Sequence, residues 1–184
     1  MLSYYTQWTL LLAVSFSVIL LYRKSIEMRR ERMSIGLGRS DLGFHKGERF
    51  PVTEFQLRDG SPYSLVGTKQ SLVIFASATC IACESILARI QNFQKKFPDL
   101  RILIIIEGTD EQVANKIEKH DLELPIFHMK REEAPLFKNP PFPFAYLLTP
   151  DAKVIHKGVT NTMDHLYMLI SHGSNASPNQ LAAE

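Results

Sequence analysis

The stretch from residue 71 to residue 106 constrains this chain more than any other. It holds two short apolar runs, residues 71–77 (SLVIFAS) and 100–106 (LRILIII), separated by a segment in which Ile86, Leu87, Ile90, Phe93 and Phe97 recur at helical spacing. An apolar run of that length without alternation suits a strand buried on both faces. Pro98-Asp99 ends the helical pattern. The two cysteines of the chain, Cys80 and Cys83, fall where the first strand hands over to the helix, as Cys80-Ile81-Ala82-Cys83. Two cysteines placed at random in such a chain would be three apart roughly one time in a hundred, so the spacing carries information.

The remaining segments extend an α/β pattern. Glu54-Phe55-Gln56-Leu57, the turn Asp59-Gly60 and Tyr63-Ser64-Leu65 read as a hairpin. Residues 110–120 form a helix with a polar face, 126–129 a further strand and 132–137 a short helical turn. Pro140, Pro141 and Pro143 lead into residues 144–148, the turn Thr149-Pro150-Asp151-Ala152 and residues 153–157, a second hairpin signature. Thr162 is placed to cap a last helix whose apolar side is Met163, Leu166, Tyr167 and Ile170. With 184 residues, 45% hydrophobic and 22% charged, the chain can bury one real core. A net charge of +2, spread through the globular part, makes no case for nucleic acid. Two cysteines exclude a zinc ribbon and a disulfide framework.

The amino terminus is of another kind. Residues 1–22 contain no Asp, Glu, Lys, Arg or His, and residues 8–22 are almost wholly apolar (WTLLLAVSFSVILLY), long enough as a helix for a hydrocarbon layer of about 30 Å. Tyr4, Tyr5 and Trp8 at one end and Tyr22 at the other suit the two membrane interfaces. No positive charge precedes the run and no small-x-small site follows it, which favours an uncleaved single-pass anchor over a signal peptide. The expected organisation is an anchor at 1–22, a charged stem and linker at 23–43, a folded domain at 44–172 and a disordered tail at 173–184. Arg23, Lys24, Arg29, Arg30 and Arg32 follow the span, and by the positive-inside rule alone the folded domain would lie in the cytoplasm.

A strand leading into Cys-x-x-Cys at a helix start suits redox chemistry. The first cysteine lies at the positive end of the helix dipole, beside free backbone N–H groups that stabilise a thiolate. Cys80 is the expected nucleophile, and Cys83, one turn on and on the same face, would resolve its mixed disulfide. Ile81 and Ala82 offer no hydrogen bond to the sulfur, Thr79 offers a hydroxyl, and Glu84 would oppose thiolate formation if it turned inward. A zinc pair would need two more ligands, from His45, His120, His128, His156, His165 or His172. A buried structural pair of cysteines is the other bland reading.

The order of elements and the dithiol resemble the thioredoxin superfamily, with a central mixed sheet flanked by helices. Pro143 falls where that fold carries its cis-proline loop, and the resemblance implies that Phe142 presents its backbone to substrate; only an X-Pro bond makes a cis state cheap. Residues 143–154 (PFAYLLTPDAKV) resemble the hairpin of membrane-anchored thiol-disulfide proteins of the TlpA and ResA branch. Within that branch the anchor and charged stem, Ser77-Ala78-Thr79-Cys80-Ile81-Ala82-Cys83, and Lys157-Gly158-Val159-Thr160-Asn161-Thr162 followed by His165-Leu166 resemble the methylamine utilisation accessory family MauD. The departures are specific. The buried acid that thioredoxin-like proteins often carry on the preceding strand is Ile74 here, and the acid that ResA-like proteins carry three places after the second cysteine is Ile86. The proline and basic residue expected in MauD-like motifs are Ile81 and Glu84.

The resemblance implies an anchored thiol-disulfide oxidoreductase without a cofactor. Its implied partners are an exported cysteine-containing protein, such as an enzyme subunit that needs disulfides, and a membrane or soluble redox partner. It also implies a redox domain outside the cytoplasm, against the charge distribution after the span. Two rivals stand beside it. A thiol peroxidase would use Ser77 three places before Cys80, but the proline its motif expects is Val73. A copper carrier of the same fold would use Cys80 and Cys83 with a remote histidine such as His128.

Overall fold

The computed structural model describes residues 7–8, 11–12, 14–25, 42–138 and 140–173. The rest of the expected anchor and stem, and residues 174–184 of the expected tail, lie outside these. The chain divides into two units, residues 1–35 and 36–184. In the first, residues 14–25 are helical, and Leu12, Phe16, Leu21 and Tyr22 are each more than 60% exposed. Among the described residues no helix is long and apolar enough to cross a membrane.

The second unit is built on a five-stranded mixed sheet in the order β5-β4-β3-β6-β7. Its strands are β3 (Ser71–Ser77), β4 (Arg101–Glu107), β5 (Ile126–Met129), β6 (Phe144–Leu148) and β7 (Val154–Val159). β3 pairs in parallel with β4, with Ser71 opposite Arg101, and β4 in parallel with β5; β6 runs antiparallel to β3 and β7 antiparallel to β6. The expected first hairpin is a separate ribbon, β1 (Glu54–Gln56) against β2 (Pro62–Ser64). Its turn is closed by the Asp59 carboxylate accepting from the Ser61 amide at 2.9 Å.

Every residue of β3 is buried, as an apolar run at the centre of a sheet requires. Its side chains alternate between two cores. Leu72, Ile74 and Ala76 pack with Ile86, Ile90, Phe93, Val113 and Leu166, which come from α1 (Ile81–Leu87), α2 (Ile90–Lys96), α3 (Asp110–His120) and α4 (Met163–Gly173). Val73 and Phe75 face an aromatic core that includes Phe50, Phe137, Phe144 and Tyr146. Each fully buried side chain of this kind contributes about 1.5–3 kcal/mol of transfer free energy. Phe137 ends a 3-10 turn, Arg131–Phe137, where a short helical turn was expected.

The helix after the dithiol differs from the continuous one that the spacing predicts. It stops at Ala88, and α2 starts after Arg89, which sits at φ −120° and ψ −4°. The Arg89 amide bonds the Ile86 carbonyl, three residues back, which tightens the last turn. This re-aims the second segment so that Ile90 and Phe93 still reach the core that Ile86 and Leu87 enter. The last helix runs to Gly173, one residue into the expected tail.

Candidate redox site

The parallel pairing of β3 and β4 brings the carboxyl end of β3 to the sheet rim, and the chain turns there into α1. The Ala78 amide bonds the Glu107 carbonyl at 2.8 Å, and the Cys80 amide bonds the Ser77 carbonyl at 3.1 Å. Cys80 is the N-cap of α1. Its sulfur accepts from the Cys83 amide at 3.3 Å, so the first cysteine takes the place that a serine or aspartate oxygen usually fills. That puts a donor where negative charge would develop on sulfur.

The two cysteines are free thiols in unlike surroundings. Cys80 is partly exposed and Cys83 fully buried. Burial pushes the Cys83 thiol well above the usual thiol range, and its hydrogen bond with Cys80 adds to the rise; a hydrogen bond from the Ser77 backbone and the Lys116 ammonium pull it back. An accessible sulfur backed by a protected one suits attack by the first and release by the second.

The Phe142–Pro143 bond is cis. The Phe142 carbonyl lies 3.7 Å from the Cys80 sulfur, so the expected substrate-facing loop does abut the dithiol. Pro143 is buried and Phe142 partly so. The loop after β7 braces this corner, since the Thr160 amide donates to the Pro143 carbonyl at 3.0 Å and the Ser85 hydroxyl to the Asn161 carbonyl at 3.2 Å. Asn161 also donates its amide to His165 Nδ1 at 3.2 Å. The family-like segment 157–166 is thus the part that ties the cis-proline loop to α1.

Thr79 is exposed, and its hydroxyl pairs with that of Ser77 at 3.2 Å. The Ser77 hydroxyl, which a peroxidase would point at the thiol, is held by that pairing. His128, the suggested copper ligand, has ring nitrogens 2.8 Å from the Gly108 carbonyl and 3.1 Å from an Asp110 carboxylate oxygen. Among the described residues no group of three or more His, Cys, Asp or Glu is arranged to hold a metal. A cleft of about 600 Å³ bordered by Thr79, Gly108, His128 and Lys130 opens beside the dithiol loop.

Glu84 turns away from the sulfurs. It meets Lys116 Nζ, Lys119 Nζ at 3.1 Å and His120 Nε2 at 2.6 Å, all on α3. The hydrogen bond from Lys116, ahead of those from Lys119 and His120, holds its carboxyl down at about 2 despite partial burial. Lys116 is 8% exposed and is the one buried lysine among the described residues. Sequence reasoning passed over this cluster. The signal was present: Val113, Lys116, Ile117 and His120 are spaced as an inward helical stripe, with a lysine and a histidine in apolar positions.

No family model matches the chain. The methylamine utilisation protein MauD of Methylophilus methylotrophus is 24% identical over 184 residues, covering 96% of this chain and 87% of its own length. That of Paracoccus denitrificans is 26% identical over 170 residues, covering 89% of this chain and 83% of its own. Among solved structures, the thioredoxin domain of a thiol-disulfide oxidoreductase from Bacteroides vulgatus superposes with a TM-score of 0.61 at 19% identity, covering 70% of this chain and 96% of that one. The chain therefore has the thioredoxin-like fold, and over most of its length it is similar to the MauD proteins.

Proposed function

We propose that the protein is a membrane-anchored thiol-disulfide oxidoreductase that exchanges disulfides with an exported cysteine-containing protein through Cys80 and Cys83. The observation that carries this reading is the pairing of an accessible Cys80 sulfur, capped by the Cys83 amide and 3.7 Å from the Phe142 carbonyl, with a buried Cys83. The Cys80 thiolate attacks a substrate disulfide, its sulfur bonds one substrate sulfur and the other leaves as thiolate. Cys83 then loses its proton, attacks the Cys80 sulfur and releases the second substrate thiol; the oxidase direction is the same sequence reversed. The Phe142 backbone receives the substrate strand, and Thr79 lines the approach.

The apolar residues between Trp8 and Tyr22 support the anchor, because a row of exposed large hydrophobic side chains on a helix requires a non-aqueous partner. Lipid is that partner. Tethering confines exchange to the membrane surface and raises the effective concentration of chains emerging there. The likeness to MauD supports a redox domain outside the cytoplasm and an exported enzyme subunit as the substrate.

The test equilibrates full-length protein in detergent with glutathione buffers of graded potential, alongside Cys83→Ser as a trap. A Cys80–Cys83 disulfide with one midpoint, and a mixed disulfide that accumulates on Cys80 in the variant, are expected. A midpoint near about −120 mV identifies a disulfide donor and one near about −270 mV a reductant that needs an electron source. Absence of the internal disulfide at every potential overturns the proposal.

A further inference from the structure

Cys83 must gain or lose a proton in each turnover, yet it is fully buried. The strand beneath it offers no acid to manage that proton, because Ile74 points into the same apolar core as Cys83. The structure puts a cation nearby instead. Lys116 reaches in from α3, and its ammonium is fixed by Glu84, the residue that follows Cys83, while His120 contacts the other carboxylate oxygen. Lysine at 8% exposure is costly unless it is paired, so the burial of this side chain needs a reason beyond surface decoration. The groups acting on the Cys83 sulfur are Cys80 from its own helix, the Ser77 backbone from β3 and Lys116 from α3. Glu84 holds Lys116 in turn, and Lys119 and His120 share the other oxygen of the same carboxylate.

We infer that Lys116, held at the seam of α1 and α3 by Glu84, whose other oxygen meets His120, is the positioning residue for the Cys83 step. Its ammonium balances the negative charge on Cys83 as that sulfur attacks, or leaves, the sulfur of Cys80. Glu84 holds the ammonium in place and moderates its field. The inference rests on the redox function proposed above and adds the group that takes over from the missing strand acid.

Ellman's reagent, an aromatic disulfide, separates the two steps on the full-length reduced protein. Cys80 attacks it, forms a mixed disulfide and releases one aromatic thiolate. Cys83 then gives its proton to solvent, attacks the Cys80 sulfur and releases the second, so the dithiol loses two electrons and the reagent gains two. An opposite charge a few ångströms away shifts a thiol by about 1–3 pH units, and the accompanying change in nucleophilicity recovers nearly half of that. Lys116→Met is therefore expected to slow the second release by about 3- to 30-fold and move its pH profile to higher pH, with the first release unchanged and Lys116→Arg restoring most of the rate. Glu84→Gln keeps an oxygen that accepts from Lys116 while removing the opposing charge, so it is expected to speed the second release by about threefold, which a loosened helix packing would not do. The Glu84 variant keeps the test open if Lys116→Met does not fold. Unchanged second-step rates and pH profiles, or equal slowing in both variants, would overturn the inference while leaving the redox function intact. A wild-type protein that shows only the first release would overturn the function itself, and this inference with it.

Discussion

Acid should remove a defined part of the stability, and Glu84 is the group through which it acts. The hydrogen bond from Lys116, helped by Lys119 and His120, lowers its carboxyl from 4.5 to about 2. A depressed carboxyl contributes stability that is fully present above its unfolded value and is lost as pH falls through the folded one. At about 1.36 kcal/mol per tenfold in acidity, the fall from 4.5 to about 2 gives a ceiling of about 3.4 kcal/mol. The side chain is 29% exposed. Solvent screening brings the contribution to about 1.5–2 kcal/mol. The assay is urea unfolding of wild type and Glu84→Gln at a series of pH values. The variant should be less stable by about 1.5–2 kcal/mol at about pH 7, and the gap should close as pH approaches about 2. Asp59, Asp151 and Glu48 are also depressed, but both proteins carry them and they cancel in the difference. A gap that stays constant from neutral to acid pH would refute the electrostatic account and leave only packing.

Three further outcomes can be checked directly. Gly43 sits at φ +71°, and a Cβ there would lie 1.8 Å from the Tyr146 hydroxyl that accepts from the Phe44 amide; Gly43→Ala should cost about 2 kcal/mol or more in thermal unfolding, and an unchanged melting temperature would exclude that packing. Ile81 is 88% exposed, so Ile81→Ala should leave stability within about 0.5 kcal/mol, and a larger loss in denaturant would mean that the dithiol turn is packed differently. Because burial raises the Cys83 thiol, the folded state keeps that proton at a pH where the unfolded chain releases it. The reduced protein should thus lose stability relative to Cys83→Ala above about pH 9, by about 1.4 kcal/mol per pH unit, and parallel pH curves would contradict a buried, protonated Cys83.

What the sequence made legible follows from where its signals are local. β3 and β4 announce themselves because a strand at the centre of a sheet has no polar face to hide, and Ser71–Ser77 and Arg101–Glu107 lie within a residue of the apolar runs. The hairpin is written in Asp59-Gly60, whose carboxylate and positive φ close the turn. The dithiol and the Phe142–Pro143 loop lie 62 residues apart from Cys80 to Phe142, and only the family resemblance set them side by side; the antiparallel return of β6 beside β3 joins them. The break at Arg89 left no such mark. It involves neither glycine nor proline, and it arises because two short helices must deliver Ile86, Leu87, Ile90 and Phe93 to one sheet face.

The Glu84 cluster shows a different limit. Taken alone, a glutamate directly after the second cysteine reads as an obstacle to a thiolate, since its charge has the wrong sign. Its effect depends on partners 32 and 36 residues away, which only the docking of α3 against α1 supplies. Once Lys116 is brought in, the glutamate becomes the means by which a cation is held in a largely apolar interior, and that cation is one of the two groups that pull the raised Cys83 thiol back down. In the role proposed for Lys116, the charge that serves the buried sulfur sits at the helix interface, where it also ties α1 to α3, so Glu84, Lys116 and His120 would link the stability of the fold to the chemistry of its second cysteine.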